Sequence, residues 1–226
     1  AKAWDALERF DRDVAAYKPK YVTVLLGMND GRYQSYNEQI WQTYHDDMTT
    51  LVSRIVEIDA IPILMTPTMY DSRAALARKR KPAENYNSVL AYYGTWLREV
   101  AVKNGYGFVD MWGPLNTLTL AQRKTNPDFT MVKDAVHPDP PGQLVMAYAI
   151  IDDMGLRGPV SNIRAIVNAG GKAKVSGSGG EATDVEHSDG SVAFTWTAKS
   201  LPWVVPSAAQ SGADMLRLGH RASREG

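Results

Sequence analysis

The feature that most constrains this sequence is an alternation. Short, near-continuous apolar runs are separated by long segments of helical periodicity. The runs are Tyr21 to Leu26, Ala60 to Met65 and Gly107 to Asp110. Runs of this kind suit strands buried on both faces, as in parallel sheets. Between them, residues 37–58 place Ile40, Tyr44, Met48, Leu51, Val52 and Ile55 on one helical face. Residues 83–103 do the same with Tyr86, Val89, Leu90, Tyr93, Leu97 and Val100, and Asn104-Gly105 supplies a stop. Residues 2–17 read as an amphipathic helix through Trp4, Leu7, Val14 and Tyr17. Lys18-Pro19 ends it, because the residue before a proline is pushed out of the helical region. A loop of about 20 residues follows the third strand, and a last helix begins near Pro141 with Leu144, Tyr148 and Ile151 as its buried stripe. Alternation of this order means right-handed crossovers and a parallel sheet with helices on both faces. Sites in such sheets lie beyond the carboxyl ends of the strands. Residues 27–31 and 134–138 both sit where such a site could be built.

The composition shifts after about residue 158. Residues 170–180 are glycine-rich, and helical periodicity disappears. Val192, Phe194 and Trp196 alternate with Ala193, Thr195 and Thr197, as in a half-buried strand, and Ser188-Asp189-Gly190-Ser191 is a hairpin turn before them. The expected organisation is an α/β domain over residues 1–158, a β-rich insertion or accessory segment over 159–206, and a poorly defined tail over 207–226.

The 25 basic and 25 acidic residues cancel, which argues against a duplex nucleic-acid partner. The run Arg78-Lys79-Arg80-Lys81 is the one concentration of charge, expected as a solvated loop or helix start. Without cysteine, the chain has no disulfide or thiolate chemistry. No apolar run approaches the ~18 residues of a membrane span. The first residue is Ala1, with neither an initiator Met nor a signal peptide.

Two short motifs could carry chemistry. Gly27-Met28-Asn29-Asp30 places a side-chain amide at a strand end, where it can hold an oxyanion. It could equally be an ordinary turn. Asp134-Ala135-Val136-His137-Pro138 places a carboxylate three residues before a histidine on one tight loop. Such a carboxylate can hold one ring nitrogen and stabilise the imidazolium formed when the other takes a proton. A surface His beside an Asp at a helix start would look the same.

Taken together, the two motifs resemble two of the sequence blocks of the SGNH (GDSL-type) hydrolases. Gly27-Met28-Asn29-Asp30 looks like their G-x-N-D block, and Asp134 to His137 looks like their D-x-x-H block. Residues 141–147 look like the usual continuation, and the resemblance covers roughly residues 1–156. It implies a flavodoxin-like three-layer α/β/α sandwich and a serine ester hydrolase acting through an acyl-enzyme on carbohydrate or lipid esters. His137 would be the general base, Asp134 its orienting carboxylate, and Asn29 with Gly27 the oxyanion and substrate-binding residues. No metal or other cofactor is implied. Secretion or a periplasmic location is a family expectation.

The same resemblance implies a nucleophilic serine in a G-D-S context and a glycine amide donor, both before the Asn loop. No serine stands among the residues before Gly27. The expectation is therefore an internal segment whose nucleophile lies upstream and which is almost inactive alone. Ser35 lacks a base placed to activate it, and Ser178 lies in a flexible glycine turn rather than a G-x-S-x-G elbow. Asp184-Val185-Glu186-His187 repeats the D-x-x-H spacing but reads as a solvated β-loop, and His45 reads as helix surface. Without a first strand beside it, Tyr21–Leu26 would be a bare apolar edge open to self-association. A rival to the hydrolase is a non-catalytic carbohydrate-binding SGNH-like module. The six tryptophans and eleven tyrosines permit it. A refinement of the hydrolase is a carbohydrate acetyl-esterase with an accessory β-domain.

Overall fold

A computed structural model describes residues 1–156, 160–200 and 204–218. The expected boundary at residues 158–159 and the last part of the expected tail, residues 219–226, lie outside the described residues. Two units emerge. The first takes in residues 1–156 and the described residues from Pro206 onward; the second takes in the described residues between them.

The N-terminal helix departs from expectation. It is broken into α1 (Ala3–Glu8), α2 (Phe10–Asp13) and a 3-10 turn at Ala15–Tyr17. Trp4 and Tyr17 are exposed, and Ala3 and Phe10 are buried instead. A tertiary contact wins over the helical stripe here: the Arg54 guanidinium lies 4.7 Å from the Phe10 ring centroid and donates to the Leu7 carbonyl. Then come β1 (Tyr21–Leu25), α3 (Glu38–Glu57) and β2 (Ile61–Met65). The Asn37 side chain caps α3 by accepting from the Ile40 amide. Next are α4 (Ser72–Ala77), α5 (Tyr86–Asn104), β3 (Gly107–Val109), α6 (Trp112–Gln122) and α7 (Pro140–Asp153).

The sheet is parallel in the order β1-β2-β3, with Tyr21 opposite Ile61 and Ile63 opposite Gly107. Alternation along β2 separates two cores. Leu64 packs with Val24 and with α3 and α5 through Tyr44, Met48, Leu90 and Tyr93. Ile63 and Met65 pack with Val109 and with Ala149 of α7. The result is the expected α/β architecture, helices on both faces of a parallel sheet.

Helix α6 lies where a loop was expected, and α4 lies where no element was assigned. Asp71 caps α4, accepting from the Arg73 and Ala74 amides. Helix α6 contains Gly113, Pro114, Thr117 and Thr119, residues of poor helix propensity. Its proline falls in the first turn, where no amide partner is needed. Burial of Leu115 and Thr119 fixes the helix.

In the second unit, β4 (Asn162–Val167) pairs antiparallel with β5 (Ala173–Ser178), and β6 (Gly180–Ser188) with β7 (Ser191–Ala198). The Ser188–Ser191 turn is present, with Asp189 and Gly190 both at positive φ. Asp184 and His187 lie on a strand rather than a loop, and the His187 ring nitrogen meets the Gly171 carbonyl at 2.8 Å. Back in the first unit, a 3-10 turn at Ser207–Ala209 and α8 (Gln210–Met215) occupy residues expected to be a tail. Ala209 and Ala213 are buried, and α8 approaches α7 so closely that a Cβ on Gly212 would stand 2.8 Å from the Pro141 carbonyl oxygen.

Candidate active site

The first motif leaves the carboxyl end of β1. Gly27 has φ +119, and a Cβ there would stand 2.6 Å from Pro67 Cγ, so the turn requires glycine. The Asp30 carboxylate is buried. It accepts from the Gly27 amide at 2.9 Å and from the Ala3 amide at 2.7 Å. Burial pushes the Asp30 carboxyl upward against these two hydrogen bonds. The Gly27 amide is thereby engaged. Gly27 contributes the conformation of the turn, and its amide already donates to Asp30.

Asn29 is oriented from both ends. Its Oδ1 accepts from the Tyr33 hydroxyl at 2.7 Å, so its NH2 faces the other way and donates one hydrogen to the Ala1 carbonyl at 3.2 Å. The second N–H has no protein partner among the described residues. Tyr86 donates to the Met28 carbonyl and packs against Tyr33, with ring centroids 5.2 Å apart.

The second motif closes on itself. Asp134 Oδ2 meets His137 Nδ1 at 2.7 Å, and Oδ1 accepts from the His137 amide at 2.7 Å and the Val136 amide at 3.0 Å. Partial burial acts to raise the Asp134 carboxyl. The hydrogen bonds from the His137 ring and the two amides outweigh it and hold the group well below the usual carboxylate range. The His137 side chain is 82% exposed, and no protein group among the described residues hydrogen-bonds its Nε2. Among the described residues no serine hydroxyl is hydrogen-bonded to that ring.

Sequence reasoning missed what anchors this loop. Asp71, only 2% exposed, receives Arg123 Nη2 at 2.6 Å and the Thr130 hydroxyl at 2.6 Å, and its amide donates to the Ala135 carbonyl. Arg123 also donates to the Phe129 carbonyl. A buried ion pair thus holds residues 129–135. The available signal was local: an Asp before a helix, readable as a cap and no more.

The two motifs meet. Gly27, Asn29 and His137 line one depression of about 260 Å³ at the carboxyl end of the sheet. On the other side of His137 lies a cleft of about 640 Å³, which Tyr33, Tyr70 and Asp134 also line. Ser35 sits in that cleft, its hydroxyl donated to the Glu84 carbonyl rather than to a base. His45 pairs with Asp46 on the exposed face of α3. Among the described residues no group of three or more His, Cys, Asp or Glu could hold a metal ion, and no helix is long and apolar enough to cross a membrane.

Known proteins resemble this chain in sequence and in fold. The acetylxylan esterase of Geobacillus stearothermophilus is 25% identical over 158 residues, which is 67% of this chain and 66% of that enzyme. Among solved structures, a gut microbial diltiazem-metabolizing enzyme aligns with a TM-score of 0.81 at 23% identity, over 96% of this chain and 53% of that one. The Geobacillus esterase aligns with a TM-score of 0.54 at 22% identity, over 70% of this chain and 69% of that one. Its solved forms include catalytic mutants in which a serine, an aspartate or a histidine is replaced by alanine. The chain spans about half the length of the diltiazem-metabolizing enzyme and about two thirds of the esterase. A model of the GDSL-like lipase/acylhydrolase family matches residues 2–145, and the chain belongs to that family.

Proposed function

We propose that these residues form the base and oxyanion part of a serine ester hydrolase that acts on carbohydrate or lipid esters. One observation carries the reading: His137, held by Asp134 at 2.7 Å, shares a depression with Asn29 at the end of a parallel sheet. The curated relative is named for acetylxylan, which favours acylated saccharides among the possible substrates. Its catalytic mutants include an aspartate and a histidine three positions apart, the spacing of Asp134 and His137.

In this mechanism the nucleophile is a serine outside these 226 residues. Its proton passes to His137 Nε2 as Oγ attacks the ester carbonyl. The carbonyl oxygen takes the negative charge and is held by the free N–H of Asn29. Asp134 stabilises the imidazolium through Nδ1. Collapse of the intermediate breaks the bond to the alcohol, which leaves with the proton from His137. Water, deprotonated by the same ring, then hydrolyses the acyl-enzyme.

The test is hydrolysis of 4-nitrophenyl acetate and of acetylated xylooligosaccharide by the longest natural polypeptide that contains these residues. Asn29→Ala should lower kcat by about 10²–10³ with little change in KM, the loss expected for one oxyanion donor. His137→Ala should abolish measurable turnover. Full activity in either variant would overturn the reading.

A further inference from the structure

The basic run is an exposed loop, as expected, and it leaves the end of α4. The Lys79 amide donates to the Leu76 carbonyl and the Arg80 amide to the Ala75 carbonyl, with Lys79 at φ 55. This left-handed stop is the usual way to end a helix and turn the chain. Here it delivers Arg80 and Lys81 to the wall of the cleft beside His137. Neither cation makes an ion pair among the described residues.

The other charges facing this cleft are two carboxylates. Asp134 has both oxygens committed to His137 and to backbone amides. Glu84 makes no ion pair with either cation; its backbone carbonyl is what Ser35 engages. Across the cleft, Tyr33 presents a partly exposed ring fixed by its hydroxyl on Asn29 and by packing against Tyr70 and Tyr86. A rigid aromatic face suits a sugar ring, and two unpaired cations suit an anion beside it.

The geometry points to a substrate subsite for a saccharide that carries a carboxylate, a uronic acid residue next to the acylated sugar. This rests on the reading of His137 as the catalytic base, because it places the subsite beside that ring. Arg80 and Lys81 set specificity. They bind the carboxylate and leave the chemistry at His137 untouched. The cleft, at about 640 Å³, has room for more than one sugar unit.

The test is calorimetric titration of this chain with two probes: xylotriose, and xylobiose bearing one glucuronic acid. The acidic probe should bind at least about tenfold more tightly in dilute buffer, with the preference shrinking as salt rises. The double variant Arg80→Gln, Lys81→Gln should bind both probes within about twofold of each other and keep the wild-type affinity for xylotriose. Equal binding of both probes by the wild type would overturn the proposal, as would a preference that survives in the double variant. So would sedimentation with phosphatidylglycerol vesicles in place of sugar binding, since the run would then serve a lipid surface. Repeating the titration with His137→Ala separates the two readings. If the preference persists there while hydrolysis by the natural polypeptide proves independent of His137, the catalytic reading alone fails. If hydrolysis depends on His137 and the preference is absent, the subsite alone fails.

Discussion

Asp134 accepts three hydrogen bonds on two oxygens, all from the next three residues. These bonds favour its ionised form. Because its carboxyl lies below its ordinary value in the fold, its contribution to stability is complete above the ordinary carboxylate range. That contribution is lost only as pH falls through the depressed folded value. A carboxyl-detected NMR titration should thus show no inflection for Asp134 near pH ~4, where a free aspartate would titrate. An inflection there would mean that the three bonds do not persist in solution. The D-x-x-H spacing made this pair legible in the sequence, since three residues are enough for the chain to fold back on the ring. Asn29 was legible for the same reason. Tyr33 was not: its hydroxyl orients Asn29 from a backbone at φ 53, a left-handed conformation that no pattern of residue types announces for a tyrosine.

The long segments of helical periodicity, α3 and α5, and the apolar strands were legible because their burial is periodic. The helices that escaped notice, α4 and α6, are short or rich in weak helix formers, and tertiary contacts stabilise them. The same holds for the clamp that carries the loop before His137. Asp71 at the start of α4 and Arg123 at the end of α6 lie far apart in sequence, so nothing in either neighbourhood shows that they meet. Arg123 is 11% exposed and Asp71 2%, so removing one partner strands a buried charge. Arg123→Ala should cost about 3–5 kcal/mol in urea unfolding. A loss below about 1 kcal/mol would place the pair among ordinary surface bridges. Strand β1 raises a different question. It pairs with β2 on one side only among the described residues, and Tyr21 and Leu25 are exposed beside it. Such an edge templates further strand pairing. Light scattering of this chain should show a mass that grows with concentration, and a clean monomer at high concentration would count against that.

At the scale of the whole molecule, the first unit is discontinuous in sequence. Residues 206–218 belong to it although the second unit intervenes, and α8 seats Ala213 and Gly212 against α7. The sequence showed little there because small residues that allow close approach look like loop composition. The second unit was legible as β-rich from its alternation at residues 192–197. Its four strands were less so, because glycines and short polar runs blur the period. The proposed chemistry belongs to the first unit, where His137 would activate a serine. The most direct measurement is intact mass after incubation with a fluorophosphonate, which phosphonylates activated serines whatever the ester. The longest natural polypeptide containing these residues should gain the mass of one phosphonyl group, His137→Ala should gain none, and the 226-residue chain alone should gain none. Labelling that persists in His137→Ala, or labelling of the 226-residue chain, would contradict this account. A natural polypeptide that stays unlabelled would contradict it too, and would leave a carbohydrate-binding module built on the same sheet.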